Sequence, residues 1–317
     1  MSCVWMRRAL LAAASAAALV LAACGSGTIE SELHPSRIVT FGDGLADVGQ
    51  TGSSYTVNDG GVDIWTRHVA LSFGVDLEPA AAGGTAFATG NARASRKPDA
   101  AGNSATPTVA EQIDAFLARG PINANDLLIV NAGTADVVAE MARVTAGTQT
   151  REQLLDELKQ VGRDLAAQVR RLVDAGAPHV VVVGTYDLGR SPWARATGQE
   201  QLLSDASARF NEQLLVSMVD LGRNVLYVDA ALVFNIMEAE PGVYGMTNSA
   251  DPVCTSVDPG PGIGIGPGQV NSARCTTATL PANTDHNLFV FADRIYPTPA
   301  AHRAFGDYAY SRIRQRW

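Results

Sequence analysis

Positive charge is in short supply. The chain carries 24 Lys and Arg against 32 Asp and Glu, a formal net charge of −8 over 317 residues. A protein that follows a phosphate backbone needs the opposite balance, so an extended nucleic-acid partner is excluded. An apolar run long enough to cross a bilayer as a helix, about 20 residues, is also lacking. The alanine-rich stretch Ala9 to Ala23 is too short for that. Cysteine is scarce, with four in all, and only Cys254 and Cys275 lie in the body of the chain. Two cysteines offer too few ligands for a structural metal, and neither a metal nor a cofactor is expected. No internal repeat occurs. What remains, 46% hydrophobic and 18% charged residues, is the composition of an ordinary globular domain with one large core.

The first residues have the order of an export signal: Arg7 and Arg8, the apolar run, then Leu21-Ala22-Ala23-Cys24 followed by Gly25. Small residues before a cysteine resemble the bacterial lipobox. That resemblance implies cleavage before Cys24 and acylation of the new N-terminus, an anchor worth about 0.8 kcal/mol per buried CH₂. With Gly25 rather than Asp behind the cysteine, sorting to the outer membrane of a bacterial envelope is expected. The organisation read from the chain is therefore a signal over 1–23, a lipidated tether over 24–36 and one domain over 37–317. Export also bears on the two remaining cysteines. In an oxidising compartment Cys254 and Cys275, which flank the Gly/Pro-rich segment 256–268, are expected to pair.

Within the domain, strands and helices alternate. Arg37 to Phe41, Leu127 to Asn131, His179 to Val183 and Val225 to Asp229 read as strands, the third continuous and β-branched as buried parallel strands are. Asp63 to Phe73, Arg151 to Ala175, Ser204 to Asp220 and Ala300 to Arg314 read as helices. In the longest, Leu154, Leu158, Val161, Leu165, Val169 and Leu172 recur every three to four residues, and Gly176-Ala177-Pro178 stops it. Alternation with short turns predicts an α/β fold, a three-layer αβα sandwich around a central parallel sheet. In such a sheet the ligand crevice lies beyond the carboxyl ends of the strands. Gly42-Asp43-Gly44, Gly133 to Asp136 and the segment around Asp293 are expected to meet there. Glu240 to Asn287 shows no helix or strand pattern, and a loop of that length is functional or mobile.

Six blocks carry a more specific signal. They are Phe41-Gly42-Asp43-Gly44-Leu45-Ala46-Asp47, Gly83 to Arg93, Gly133-Thr134-Ala135-Asp136, Tyr186-Asp187-Leu188-Gly189-Arg190-Ser191-Pro192, Tyr244-Gly245-Met246-Thr247-Asn248, and Asp293-Arg294-Ile295-Tyr296-Pro297-Thr298. In order and spacing they resemble the blocks of the GDSL or SGNH ester hydrolases, a lipase and esterase family with a flavodoxin-like fold. The resemblance implies a serine nucleophile, a histidine base oriented by an aspartate, and an oxyanion hole made of the serine N–H, a glycine N–H and an asparagine amide. Here the nucleophile position is Gly44, the base position is Tyr296 and the asparagine position is Ala135. Asp293 stands at the position of the orienting acid, and Gly44 and Gly90 at those of the backbone donors. A glycine has nothing to attack with, and a phenol with a pKa near 10 is a poor base at neutral pH.

Three readings follow. In the first, the chain is an inactive or nearly inactive member that binds an acyl- or glycan-like ligand. In the second, it is an ester hydrolase that uses displaced residues, with Asp293 activating water or His302 as base. In the third, it is an envelope protein that holds a partner through 240–287. His302 reads either as that base or as a core residue on a helix face. His286 reads as a loop residue able to swing inward or as a solvated one, Ser53 and Ser54 as part of a turn, and Asp293 as an acid or a hydrogen-bond acceptor. Trp65, Phe289 and Phe291 read as core. The oligomeric state is left open.

Overall fold

The computed structural model describes residues 31–61 and 64–317. The expected signal 1–23, the lipidation site Cys24 and the tether up to residue 30 lie outside the described residues. In chain order the elements are β1 (Arg37–Gly42), α1 (Trp65–Ser72), α2 (Val109–Leu117), β2 (Asp126–Asn131), α3 (Thr134–Thr145), α4 (Arg151–Asp174), β3 (His179–Val183), α5 (Pro192–Thr197), α6 (Glu200–Val216), β4 (Val225–Tyr227), α7 (Ala230–Ala239), β5 (Asn248–Pro252), β6 (Val257–Asp258), β7 (Gln269–Val270), β8 (Phe289–Phe291) and α8 (Pro299–Arg316).

β1 to β4 form one sheet in that order, every pair parallel. The register sets Gly42 against Asn131 and Asn131 against Val183, so the carboxyl ends of β1, β2 and β3 lie side by side. On the free edge of β1 the segment 85–89 makes a rudimentary fifth strand. Thr40 N–H donates to Thr85 O at 3.2 Å and Phe87 N–H to Thr40 O at 2.7 Å, with a parallel bridge between Thr40 and Ala86. Counting that segment second in the chain, the order is 2-1-3-4-5, that of doubly wound flavodoxin-like sheets. Helices α2, α3, α4 and α6 pack together as one layer, and α1, α7 and α8 as the other. The result is the expected αβα sandwich.

The long helix shows why the elements form where they do. Thr150 and Gln153 close a capping box at the start of α4, satisfying two orphan N–H groups. All six apolar positions read from its period are buried, each stabilising by roughly 1.5–3 kcal/mol relative to exposure. Gly176, at φ 98°, ends it. Its N–H returns to Val173 O at 2.9 Å and that of Ala177 to Leu172 O at 3.0 Å, a Schellman closure.

Three expectations need correction. Strand β4 stops at Tyr227, because the Asp229 carboxylate accepts from Leu232 N–H at 3.1 Å and caps α7 instead. The expected 204–220 helix is displaced to Glu200–Val216, since Gly198 in the left-handed region ends α5 and lets a new helix begin at once. The segment 240–287 is not free of regular structure. It holds β5, which pairs in parallel with the remote β8, and the antiparallel pair β6–β7. These pieces are two to five residues long, too short to show a period. The expected cysteine pair forms a disulfide, Cys254–Cys275, with the Cα atoms 5.9 Å apart.

Candidate functional site

Between β1 and β2 the strand order reverses, and the turns leaving these strands open the crevice that such a reversal creates. Gly42 to Leu45 leave β1, and Gly133 to Asp136 begin α3. Ala135 N–H donates to the Asp43 carboxylate at 3.2 Å, tying the two turns together. The turn of Asp293 to Pro297 closes the third side. Tyr186 holds it by donating its hydroxyl to Ile295 O at 2.6 Å, and Trp193 by donating N–H to Arg294 O at 3.0 Å. The three expected segments do meet.

What they enclose is filled by phenol rings. A Cβ added to Gly44 would come 2.7 Å from both Cζ and Oη of Tyr296, so the ring occupies the place of a side chain at 44. A Cβ on Gly90 would come 2.0 Å from Cε2 of Tyr55. The two rings lie against each other, centroids 4.9 Å apart. Tyr296 is buried, and burial holds its hydroxyl well above the usual range, with the Asp43 charge adding to the effect. It stays a neutral phenol and no base.

The backbone N–H groups at two of the resembling positions already have acceptors within the protein. Gly90 N–H donates to Asp47 at 2.8 Å and Ala135 N–H is taken by Asp43, so neither points a free donor at a reacting oxygen. Of the positions expected to form an oxyanion hole, only Gly44 N–H lacks an acceptor among the described residues. Asn91, where the resembling blocks have glycine, sits at φ 63°, a left-handed conformation that asparagine tolerates better than most residues.

The carboxylates serve as anchors. Asp293 accepts from Ile295 N–H at 2.8 Å, Tyr296 N–H at 2.7 Å and Ser272 N–H at 3.0 Å. It therefore shapes its own turn and fastens the 240–287 segment to it. Asp136 accepts from Arg93 Nε at 3.1 Å and Ala94 N–H at 2.9 Å, and Arg93 also reaches Glu140 at 2.5 Å. Asp43 is fully buried, and desolvation lifts its pKa to about 7 against the pull of the Leu45 and Ala135 N–H groups. Burial likewise raises Asp47, Asp136 and Asp293.

None of the displaced candidates hydrogen-bonds through its side chain to Gly44, Tyr296 or Asp293 among the described residues. His302 is buried in the helix layer, where its Nδ1 accepts from Trp65 N–H at 3.4 Å. Desolvation drops its pKa to about 3, which leaves it neutral. His286 lies 3.0 Å from the Asp59 carboxylate. Ser54 belongs to a turn organised by Asn58, donating its N–H to Asn58 Oδ1 at 2.9 Å. No serine hydroxyl bonds a histidine ring among the described residues. Trp65 and Phe291 are core as read, while Phe289 is half-buried. Tyr55 and Asp47 are the site residues that sequence reasoning passed over as such. Tyr55 follows a Gly-Ser-Ser turn that carries no signal of its own.

The family profile described as "GDSL-like Lipase/Acylhydrolase" matches residues 38–309. This chain belongs to the GDSL-like lipase/acylhydrolase family. It is 31% identical over 179 residues to a GDSL esterase/lipase of Arabidopsis thaliana, covering 53% of this chain and 45% of that protein. An uncharacterized Pseudomonas putida protein from the trpE-trpG intergenic region is 28% identical over 157 residues, covering 49% of this chain and 25% of that protein. The chain thus spans less than half the length of either relative. Among solved structures, the inhibitor-bound aryl esterase of M. smegmatis aligns over 89% of this chain and 99% of its own, at 16% identity and a TM-score of 0.47. The GDSL-type blocks of this chain carry the ester-hydrolase scaffold described above, with Gly44, Ala135 and Tyr296 at the three positions where the resemblance implies serine, asparagine and histidine.

Proposed function

We propose that this chain is a lipid-anchored envelope protein of the GDSL family that binds an acyl- or glycan-like ligand and does not hydrolyse it. The observation that carries this reading is the Tyr296 ring in the space a nucleophile at 44 would need. Magnitudes support it. In a serine hydrolase the loss of the nucleophile or base costs about 10⁶ in kcat, and one lost oxyanion donor about 10²–10³. With Gly44, Tyr296 and Ala135 at these positions, little remains above background hydrolysis. The order of charge, apolar run and Cys24 supports the anchor and its placement at the outer membrane.

The test is an assay of the full-length protein, purified in detergent, on p-nitrophenyl acetate and p-nitrophenyl octanoate. The expected rate equals that of a protein-free control. Turnover that disappears in Asp293→Ala or His302→Ala while the fold persists would replace this reading with the displaced-residue hydrolase.

A further inference from the structure

The end of the sheet opposite the crevice has a composition of its own. The parallel register sets Arg37 against Asp126, Leu127 against His179 and Val180 against Val225, so the amino ends of β1 to β4 form one edge. Neighbouring strands lie about 4.8 Å apart, which puts the start of β1 about 10 Å from the start of β3. The last turn of α8 folds onto the same edge. The Trp317 ring packs on His179 with centroids 4.9 Å apart. Arg316 donates to Gly222 O at 2.6 Å, in the turn between α6 and β4.

Two features set this end apart. The first is uncovered aliphatic surface: Val216 is 68% exposed and Val219, three residues before Gly222, is 81% exposed. The second is charge. In a chain of net charge −8, Arg223, Arg314 and Arg316 are exposed here without a carboxylate partner among the described residues. The carboxylates at this end are Asp126, held by Arg37, Asp220, held by Arg170 at 2.8 Å, and the exposed Asp174, so positive charge is in excess. The crevice end has the reverse balance: Asp47, Asp99 and Asp258 line its open cleft beside one arginine, Arg274. Exposed aliphatic side chains among unpaired guanidinium groups suit an anionic bilayer surface, where the former enter the interface and the latter meet phosphates.

The path of the chain points to the same partner. Leu33, four residues before β1, belongs to the hydrophobic core, and Arg37 opens β1 at this end. The nine residue steps from Cys24 to Leu33 reach at most about 30 Å when extended. A domain of this length is about 50 Å across. An anchor on Cys24 therefore keeps the amino ends of the strands, and not the crevice, within reach of the bilayer.

We propose that this end of the domain, with Val216, Val219, Arg223, Arg314 and Arg316, rests on the membrane and pairs with anionic phospholipid headgroups, so that the crevice opens away from the bilayer. The inference rests on the lipid-anchor reading above and adds the orientation of the anchored domain. It is tested on the full chain, expressed with its own signal and reconstituted in phosphatidylcholine vesicles with or without phosphatidylglycerol. A fluorescent label is placed at Val219→Cys or, at the crevice end, at Thr51→Cys, and quenched by doxyl-labelled lipid. Quenching is expected at 219 and not at 51, and is expected to be stronger with phosphatidylglycerol. Arg314→Gln/Arg316→Gln is expected to lower the face-down population roughly 20-fold, about fivefold for each arginine. Arg223→Gln, whose parent side chain makes no hydrogen bond among the described residues, is expected to lower it about fivefold with Tm unchanged. Equal quenching at both positions overturns the proposal, as does quenching at 219 indifferent to lipid charge and to all three arginines. The mass of the purified protein separates the two readings. An acylated protein that fails the quenching test defeats the orientation alone. An unacylated one defeats the anchor, and the face then stands or falls on cosedimentation with the anionic vesicles.

Discussion

Tyr296 and Gly44 share one volume: the phenol fills the space into which a side chain at 44 would project, with a Cβ there only 2.7 Å from the ring. Gly44 is not among the residues held at positive φ, so the obstacle to a larger residue is the ring and not the backbone. Gly44→Ser is expected to destabilise the protein by about 1–3 kcal/mol, the usual cost of overpacking. On a Tyr296→His background the same substitution is expected to cost much less. Denaturant titrations of the four members of the cycle measure the coupling. Additive effects would mean that the ring and the new side chain do not meet.

The scaffold around the centre makes restoration a direct prediction. Gly44→Ser, Ala135→Asn and Tyr296→His together supply the nucleophile, the oxyanion amide and the base, next to an Asp293 already fixed by three N–H groups. This variant is expected to cleave p-nitrophenyl acetate roughly 10³-fold faster than the parent, the smallest gain that an assembled triad supports. Adding Tyr55→Ala is expected to raise kcat/KM further by opening the approach over Gly90. A folded but silent triple variant would show that the crevice has changed beyond these positions.

Stability should depend on pH in a direction opposite to that of most salt-bridged carboxylates. The folded-state pKa of Asp43, about 7, exceeds the unfolded value near 3.9, so its contribution is complete at low pH and disappears as pH rises through 7. Asp47, Asp136 and Asp293 act in the same sense. His302 opposes them below about 6.5, because its folded pKa of about 3 makes protonation favour the unfolded chain. From pH 8 down to about 6.5, before His302 enters, stability is expected to rise by on the order of 1 kcal/mol, a gain in Tm of roughly 2 °C. Asp43→Asn should reduce that rise, leaving only what Asp47, Asp136 and Asp293 contribute. A thermal melt series whose slope is unchanged by the substitution would assign it elsewhere.

The disulfide closes a separation of 21 residues, for which chain entropy predicts roughly 3 kcal/mol of stabilisation. Its reach is wider than the loop it closes. Cys254 N–H donates to Ala292 O at 2.9 Å, beside Asp293, and Cys275 O accepts from Asn58 N–H at 2.9 Å, three residues beyond Tyr55. The pair Cys254→Ala/Cys275→Ala is expected to lose about that energy in denaturant titration and to expose both tyrosines to solvent, read by their fluorescence quenching. Loss of stability with both rings still protected would confine the bond to its own loop.

The sequence makes the framework legible where the physics is local. β2 and β3 are apolar runs buried on both faces, and α4 carries its period over 24 residues, so each announces itself. Helix α2 does not, although Thr108 and Glu111 form a capping box before it; at nine residues and set among glycines and prolines, it is not among the helices read from the sequence. The edge segment at Ala86 and the pairing of β5 with β8 depend on partners far away in the chain, which no local pattern encodes. For the candidate site, block spacing singled out Gly44, Gly90, Ala135, Asp293 and Tyr296. It did not reveal that Tyr55 leans on Tyr296 or that Gly90 N–H is spent on Asp47, because these are contacts between blocks.

A shared volume has a history as well as a geometry. Because residues 44 and 296 compete for the same space, their identities are coupled: a serine enters at lower cost once the aromatic ring has gone. A mutational walk that links a serine-bearing form to this one, in either direction, is therefore easier in one order of steps than in the other. Single-substitution scans started from this protein would score the serine as harmful and miss the route on which it becomes an asset.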